Sequence, residues 1–146
     1  MITHEQTMTT SEWEVMRIIW TLNEATSKQI IHFMRLKKNW APSTVKTLIT
    51  RLQKKGYLTD NGAPRDRLYL PIISEQEAMH HALAHTIGAM CAMYVGQSLA
   101  EVLSDITLSR DDITQLQSVL QKKLTQAPTT VACDCLPKER ITHHVH

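Results

Sequence analysis

The sequence predicts a mainly α-helical fold with one small β-hairpin, and three observations lead to that expectation. Apolar residues recur at helical spacing in several separate segments. Most of these segments begin with Ser or Thr, followed three residues later by an acid or an amide, which is the pattern of a capping box. The helical pattern is interrupted once, by two short extended stretches around a turn that contains Gly and Pro.

Capping boxes mark the first two helices. Thr9 and Ser11 each precede a glutamate by three residues, so the first helix is expected to begin near them and to run to about Leu22. Thr26 precedes Gln29 in the same way and begins the second helix. The predicted buried residues are Trp13, Met16, Ile19 and Trp20 in the first helix and Ile30, Ile31 and Met34 in the second.

The third helix is predicted from about Pro42 to Lys55. Proline suits its first turn and Gly56 its C-terminal stop, although Ala41 stands where a capping side chain is expected. Its apolar face consists of Val45, Leu48, Ile49 and Leu52. The remaining surface is polar and basic, with no acid, and its candidate DNA-binding residues are Ser43, Thr44, Lys46, Thr47, Thr50, Arg51 and Lys54.

A hairpin follows the third helix. Residues 57–59 and 67–70 read as strands, and residues 60–64 between them form a turn. Arg65 and Arg67 lie at or beside its tip, where they would contact DNA or remain solvated. Three helices followed by a hairpin, with the third helix amphipathic and basic, are typical of a winged helix-turn-helix.

The charge distribution supports nucleic-acid binding. Between Arg35 and Arg67, nine Lys and Arg against two Asp give +7, whereas the remaining seven basic and twelve acidic residues give −5. A local basic patch on a nearly neutral chain favours phosphate binding, with a solvated charged face as the alternative. Double-stranded DNA is therefore the expected partner.

Two further helices are predicted beyond the hairpin. Ser74 with Glu77 begins a long apolar helix that extends to about Ser104, and Ser109 with Asp112 begins another. Their apolar stripes are expected to form a homodimer interface, with packing onto the N-terminal domain as the alternative. The predicted organisation is a winged-helix domain at 1–72, a helical dimerisation region at 73–124 and a metal-binding tail at 125–146.

The tail carries candidate metal ligands. Cys133 and Cys135 are separated by one residue, a spacing that suits a soft ion such as Cu(I), and with two more ligands they would complete a zinc site. The candidate additional ligands are His143, His144 and His146, although a terminal histidine cluster is often incidental. Cys91 is interpreted as a small core residue, and His81 and His85 as surface histidines.

Several classes of protein are excluded or disfavoured. No nucleophile, base and orienting group fall in a catalytic pattern, so an enzyme is not expected. No apolar run approaches the roughly 20 residues of a membrane span, and residues 1–10 lack an export signal. We therefore expect a cytoplasmic protein with no membrane partner, in which three cysteines do not form a disulfide framework.

The segments 11–20, 44–52 and 55–58 closely resemble the penicillinase-repressor family of winged-helix regulators, and the resemblance spans about residues 10–124. Residues 131–137, which include the Cys-X-Cys pair, resemble the tail of the copper-responsive members. This resemblance implies a repressor that binds an inverted-repeat operator as a dimer held by its C-terminal helices. It also implies that the zinc-bound form represses and that Cu(I) displaces zinc, which releases DNA and derepresses copper-export genes.

The sequence departs from that pattern in two places. The second Cys-X-Cys pair of the copper-responsive members is replaced here by residues 137–140. Our hypothesis is that His146, with His143 or His144, substitutes for it; the alternative is a degenerate tail. The Asn-Phe bond at which the antibiotic-resistance members are cleaved corresponds to Ser104-Asp105, which disfavours that route. A repressor that responds to another signal, such as a cell-wall antibiotic, and a metal-buffering protein remain alternatives.

Overall fold

The computed structural model describes residues 7–138 of the chain. It divides into two compact units, and the boundary between them falls at Thr86. The elements of the described part are α1 (Thr10–Leu22), β1 (Ala25–Thr26), α2 (Ser27–Lys38), α3 (Pro42–Lys54), β2 (Leu58–Asp60), β3 (Leu68–Pro71), α4 (Glu75–Gly88), a 3-10 turn (Ala92–Tyr94), α5 (Val95–Asp105) and α6 (Arg110–Leu124). The predicted fold class, mainly helical with a small wing, is confirmed.

The helix starts follow the capping boxes. Thr9 caps α1: its hydroxyl accepts from Glu12 N at 3.2 Å, and its own amide donates to Glu12 Oε1 at 3.1 Å. Thr26 caps α2 and Ser109 caps α6 in the same reciprocal way. Each box satisfies two backbone donors that a helix N-terminus otherwise leaves without partners, which is why a local pattern located these starts correctly.

The wing belongs to a three-stranded antiparallel sheet. β2 and β3 form the expected hairpin, each displaced by one residue from its predicted range. β1 pairs with the other edge of β3, with Ala25 opposite Tyr69, so that the strand order is β1-β3-β2. A two-residue strand is too short to show any alternation, and Thr26 also serves as the cap of α2, which explains why the sequence did not reveal it.

The core of the N-terminal unit lies between its first three helices. Met16 and Ile19 of α1, Ile30 and Met34 of α2 and Leu52 of α3 are almost completely buried. Trp20, which is partly buried, donates its indole N–H to the carbonyl of Ile73 at 2.9 Å. This bond links α1 to the segment that leaves the wing, so it holds the end of β3 against the first helix.

The prediction of one long helix from Ser74 to about Ser104 is wrong, because the chain leaves the helical conformation after Gly88. The last turn of α4 tightens through i→i+3 bonds from Ala89 N to Thr86 O and from Met90 N to Ile87 O. Cys91 then adopts an extended conformation, with φ −61° and ψ 120°, before the 3-10 turn. Glycine is a poor helix former, and the apolar residues on both sides of the break conceal it from a periodicity argument.

In the C-terminal unit, α5 and α6 carry apolar stripes with no buried residue. A groove between these helices is lined by apolar side chains that include Leu103, Ile106, Ile113, Leu116 and Leu120. Each of these five side chains is between 37% and 57% exposed. Helices with amphipathic patterns but no buried side chains lack the packing that normally stabilises short helices in water.

A bilayer-spanning helix is not found among the described residues when each helix is taken singly. Taken together as a bent pair, α4 and the segment Ala92–Asp105 are long and apolar enough to cross a membrane, by length and composition only.

Glu12 is a buried charged side chain of the N-terminal unit, with 1% of its surface exposed. Lys55 Nζ lies 2.7 Å from Glu12 Oε1 and 3.0 Å from the carbonyl oxygen of Thr7. Burial alone raises the pKa of Glu12, but hydrogen bonds from Lys55 and Thr9 outweigh it and lower the pKa below the usual glutamate value. The ion pair therefore joins the end of α3 to the start of α1.

This lowered pKa predicts acid destabilisation of the N-terminal unit. A carboxyl group whose pKa is lower in the folded state stabilises that state above its unfolded pKa, about 4.3, and loses this contribution as pH falls through its folded pKa. Glu14 acts in the same direction, because a hydrogen bond from Lys37 lowers its pKa. We expect the free energy of unfolding, measured with urea, to fall below about pH 4.3 and to fall less steeply in Glu12→Gln. Equal slopes in both proteins would contradict this assignment.

Candidate DNA interface and thiol cluster

The polar face of α3 is exposed along its whole length. Ser43, Thr44, Lys46, Thr47, Thr50, Arg51 and Lys54, the seven predicted contact residues of the helix, are all classed as exposed. The hydroxyls of Thr47 and Thr50 donate to the carbonyls of Ser43 and Lys46, at 3.0 and 3.1 Å. These bonds fix the two threonine rotamers while leaving their oxygens able to accept. The face thus presents hydroxyl, ammonium and guanidinium groups together.

The start of α3 has no side-chain cap. Ala41 occupies the N-cap position with extended geometry and supplies no capping oxygen. The amides of Thr44 and Val45 bond only to the Ala41 carbonyl, at 3.1 and 3.3 Å. A helix N-terminus without a capping side chain costs about 1 kcal/mol of stability but keeps its positive end accessible to a phosphate.

Asp60 fixes the wing to α3. Its Oδ2 accepts from Gln53 Nε2 of α3 at 2.8 Å, and its Oδ1 accepts from Gly62 N in the turn at 2.8 Å. Asn61 Oδ1 closes the turn by accepting from Ala63 N and Leu68 N. Gly62 has a φ of 71°, in the left-handed region that favours glycine. The wing therefore has a defined position beside α3, which we call the reading helix.

The two wing arginines differ in their contacts. Arg67 donates from Nε to Ala63 O at 3.0 Å, and the same atom lies 3.9 Å from Asp60 Oδ1, so part of its guanidinium stabilises the turn. Arg65 is exposed near the tip. Arg65 is consequently the better placed of the two to contact a phosphate backbone.

Part of the basic patch stabilises the fold rather than remaining available to DNA. Lys37 Nζ lies 2.9 Å from Glu14 Oε2, and Lys55 is paired with Glu12. The net charge of +7 counted from the sequence therefore overstates the positive charge available to phosphates. The exposed cations of the α3 and wing surface are Lys46, Arg51, Lys54, Arg65 and Arg67.

The C-terminal unit holds a cluster of three cysteines. The Sγ atoms of Cys91, Cys133 and Cys135 all lie within 4.8 Å of one another, and those of Cys91 and Cys133 are 3.6 Å apart. Cys91 is half-buried and the other two are exposed. The interpretation of Cys91 as an ordinary core residue is wrong, because its thiol contacts the tail instead of packing in an apolar interior.

A backbone contact holds the tail against this turn. Asp134, between the two tail cysteines, accepts a hydrogen bond from Ala92 N at 2.9 Å through Oδ1. A hydrogen bond from Cys135 lowers the pKa of Cys91, whereas bonding to Cys133 and Cys91 raises the pKa of Cys135 to about 12. Three thiolates this close repel one another, so a cation would have to replace the protons for all three to ionise.

The predicted histidine ligands are not assigned by the structure. His143, His144 and His146 lie outside the described residues. His81 and His85 are exposed on α4, and no metal-binding group among residues 7–138 includes them. Cys133 and Cys135 are brought together with Cys91, a residue that sequence spacing could not connect to them across 42 positions.

Comparison with known proteins places the chain in a family. A model of the penicillinase repressor family matches residues 8–122. The chain belongs to the penicillinase-repressor family. This family consists of DNA-binding transcriptional repressors, and the chain is one of them; the predicted resemblance is confirmed. The surface formed by α3 and the wing is thus the candidate DNA interface of a penicillinase repressor.

Two similar proteins align with most of the length of this penicillinase repressor. It is 46% identical over 132 residues to an uncharacterised 16.5 kDa protein of Latilactobacillus sakei, with 90% of each chain covered. It is 30% identical over 116 residues to the methicillin resistance regulatory protein MecI of Staphylococcus aureus, with 80% of this chain and 94% of MecI covered. Among solved structures, the DNA-binding domain of the repressor BlaI is 30% identical with a TM-score of 0.47, covering 53% of this chain and 93% of that domain.

Proposed function

We propose that this penicillinase-family repressor is copper-responsive: in the cytoplasm it binds an inverted-repeat operator as a homodimer in a zinc-bound form, and Cu(I) releases it and derepresses copper-export genes. The observation that carries the copper response is the Cys133-X-Cys135 pair, whose thiols lie close together at the end of the C-terminal unit. Paired thiolates bind soft metal ions, Cu(I) and Zn(II) among them.

The geometry of α3 supports operator binding. Phosphate oxygens are bound by hydroxyls, ammonium groups and uncapped helix N-termini, and arginine reads guanine in the major groove. Lys46, Thr47, Thr50 and Arg51 offer these groups on one exposed surface, opposite the buried side chains of the helix. The core therefore holds the reading surface rigid while its polar groups remain accessible.

The Arg51→Ala variant tests this surface. We expect it to weaken operator binding by about 1–3 kcal/mol, roughly 5- to 150-fold, because it removes a guanidinium that pairs with base edges or phosphates. Fluorescence anisotropy with a labelled operator fragment at fixed salt measures the change. Lys122→Ala, in the last turn of α6, is the matched control for loss of one positive charge. Unchanged affinity in Arg51→Ala would instead support a metal-buffering protein.

The exposed apolar stripes of α5 and α6 support the homodimer. Leu99, Val102 and Leu103 of α5 are 38–51% exposed, and Val119, Leu120 and Leu124 of α6 are 52–69% exposed. A second copy of the same stripes would bury this surface, and a two-fold dimer presents two reading helices to an inverted repeat. These stripes are the proposed dimer face.

The thiols support Cu(I) as the signal. Copper(I) is soft and accepts two or three thiolates, whereas structural zinc usually takes four ligands. In the described part of the chain the cluster offers only sulfur, so Zn(II) would need ligands from elsewhere. His143, His144 and His146 of this protomer or its partner are the proposed source. Exchange of Zn(II) for Cu(I) would then change the number of ligands that hold the tail.

Operator release by Cu(I) is the direct test. We expect Cu(I) to lower the operator affinity of the zinc-loaded dimer about a hundredfold, a coupling free energy of about 2.7 kcal/mol. The double variant Cys133→Ser/Cys135→Ser should lose this response. Titration of labelled operator under anaerobic, reducing conditions measures both proteins.

Controls separate the alternatives. Ca(II), a hard ion that prefers oxygen ligands, should leave the affinity unchanged. A copper response that persists in the double variant would refute the role of the tail thiols. Release by a cell-wall antibiotic but not by Cu(I) would favour the other branch of the family.

A further inference from the structure

We infer that Cys91 is the third thiolate of a mononuclear Cu(I) site completed by Cys133 and Cys135, and that this site fastens the tail to the break between α4 and α5. This inference rests on the proposed function and identifies its metal ligands. It also gives a role to the interruption of the predicted long helix. At this break Cys91 leaves the helical conformation, and its thiol contacts the tail.

The sulfur spacing fits one ion. Three sulfurs at about 2.3 Å from a central metal ion, in a trigonal arrangement, lie about 4 Å from one another. The observed spacings, 3.6 Å between Cys91 and Cys133 and at most 4.8 Å for any pair, bracket that value. Small side-chain rotations would therefore suffice to bring the three thiols to one ion.

The backbone arrangement supports the third ligand independently. Cys91 is extended where α4 has ended, and Ala92, the next residue, donates its amide to Asp134. Asp134 lies between Cys133 and Cys135, so this bond holds the two tail thiols against Cys91 without using any sulfur. The contact uses no sulfur atom, so it brings the three thiols together before a metal ion binds, which reduces the ordering cost of binding.

The ligand set selects the class of metal. Among residues 7–138 the cluster contains three thiols and no imidazole or carboxylate. A trigonal all-sulfur site suits Cu(I), or Ag(I) as its redox-stable analogue, and leaves Zn(II) short of its fourth ligand. The tail histidines are then unnecessary for Cu(I), and we expect a stoichiometry of one Cu(I) per chain.

X-ray absorption of the full-length protein loaded with one equivalent of Cu(I) tests the inference. We expect three sulfur neighbours per copper in the wild type and two in Cys91→Ser. In competition with a chromogenic Cu(I) chelator, Cys91→Ser should bind at least about tenfold more weakly, a difference of about 1.4 kcal/mol. Met90→Leu, which removes the adjacent thioether, is the matched control and should retain three sulfurs.

The outcomes separate this inference from the proposed function. Two sulfur neighbours in the wild type, or an unchanged Cu(I) affinity in Cys91→Ser, would overturn the third ligand, while operator release by Cu(I) in the same samples would leave the copper response standing. Three sulfurs in the wild type without operator release would confirm the site and refute the regulatory function. The wild-type coordination number decides the first question even if Cys91→Ser fails to fold.

Discussion

Replacing Lys55 with methionine is expected to lower the free energy of unfolding of the N-terminal unit by about 3 kcal/mol. Removal of one partner from a buried ion pair costs about 3–5 kcal/mol, because the other charge stays buried without compensation. Glu12 is 1% exposed and would lose its cation, although the 28% exposure of the Lys55 side chain suggests the lower end of that range. Lys55 therefore contributes to the stability of the N-terminal unit and is not simply one more cation of the basic patch.

Tryptophan fluorescence during urea unfolding measures this loss. Trp13, Trp20 and Trp40, which are all the tryptophans of the chain, lie in the N-terminal unit, so the signal excludes the C-terminal helices. Lys54→Met is the matched control, because Lys54 is the adjacent lysine but is exposed. The double variant Glu12→Gln/Lys55→Met should recover part of the loss. A similar, small effect of both single variants would show that the ion pair contributes little.

Leu120→Lys is expected to convert the proposed homodimer into monomers and to weaken binding to the full operator by about a hundredfold or more. Its side chain is 57% exposed within the protomer, so the substitution removes little intramolecular packing. Two reading helices joined in one dimer gain an avidity of about 10²–10⁴ over separate binding, and monomers lose that gain. The charge would also be costly inside an apolar interface.

Sedimentation and anisotropy with whole and half operators measure this effect. We expect affinity for a half operator to change little, because the reading helix is untouched. Ser118→Lys, on the polar side of α6, is the control that adds the same charge outside the apolar stripe. If Leu120→Lys remains dimeric at the concentration at which the wild type dimerises, α6 does not form the interface.

Lys54 and Lys55 show that neighbouring residues serve different purposes, one in stability and the other in the candidate DNA contact. Lys55 follows α3 directly and points its ammonium into the protein, while Lys54 remains on the exposed surface. Adjacent lysines therefore have opposite roles, one in holding the reading helix to α1 and one in the candidate contact with DNA. Their sequence positions alone do not distinguish these roles.

The local elements could be predicted because the interactions that create them are local. Thr9, Thr26 and Ser109 bond to residues three positions away, so their capping boxes are legible in the sequence. The two faces of α3 follow from helical periodicity, and the predicted range was right to within one residue at its C-terminal end. The hairpin was signalled by the turn at Asp60, Asn61 and Gly62.

The remaining features depend on contacts between residues far apart in the chain. β1 exists only because Ala25 meets Tyr69, and the break at Cys91 has no strong local signal because apolar residues continue beyond it. The sequence by itself determined the first three helices, the start of α6, the wing hairpin, the basic surface and the family resemblance. Tertiary structure decided which lysines are withdrawn into ion pairs and brought Cys91 to Cys133 and Cys135, because sulfur-to-sulfur proximity across 42 residues depends on how the backbone turns, not on spacing.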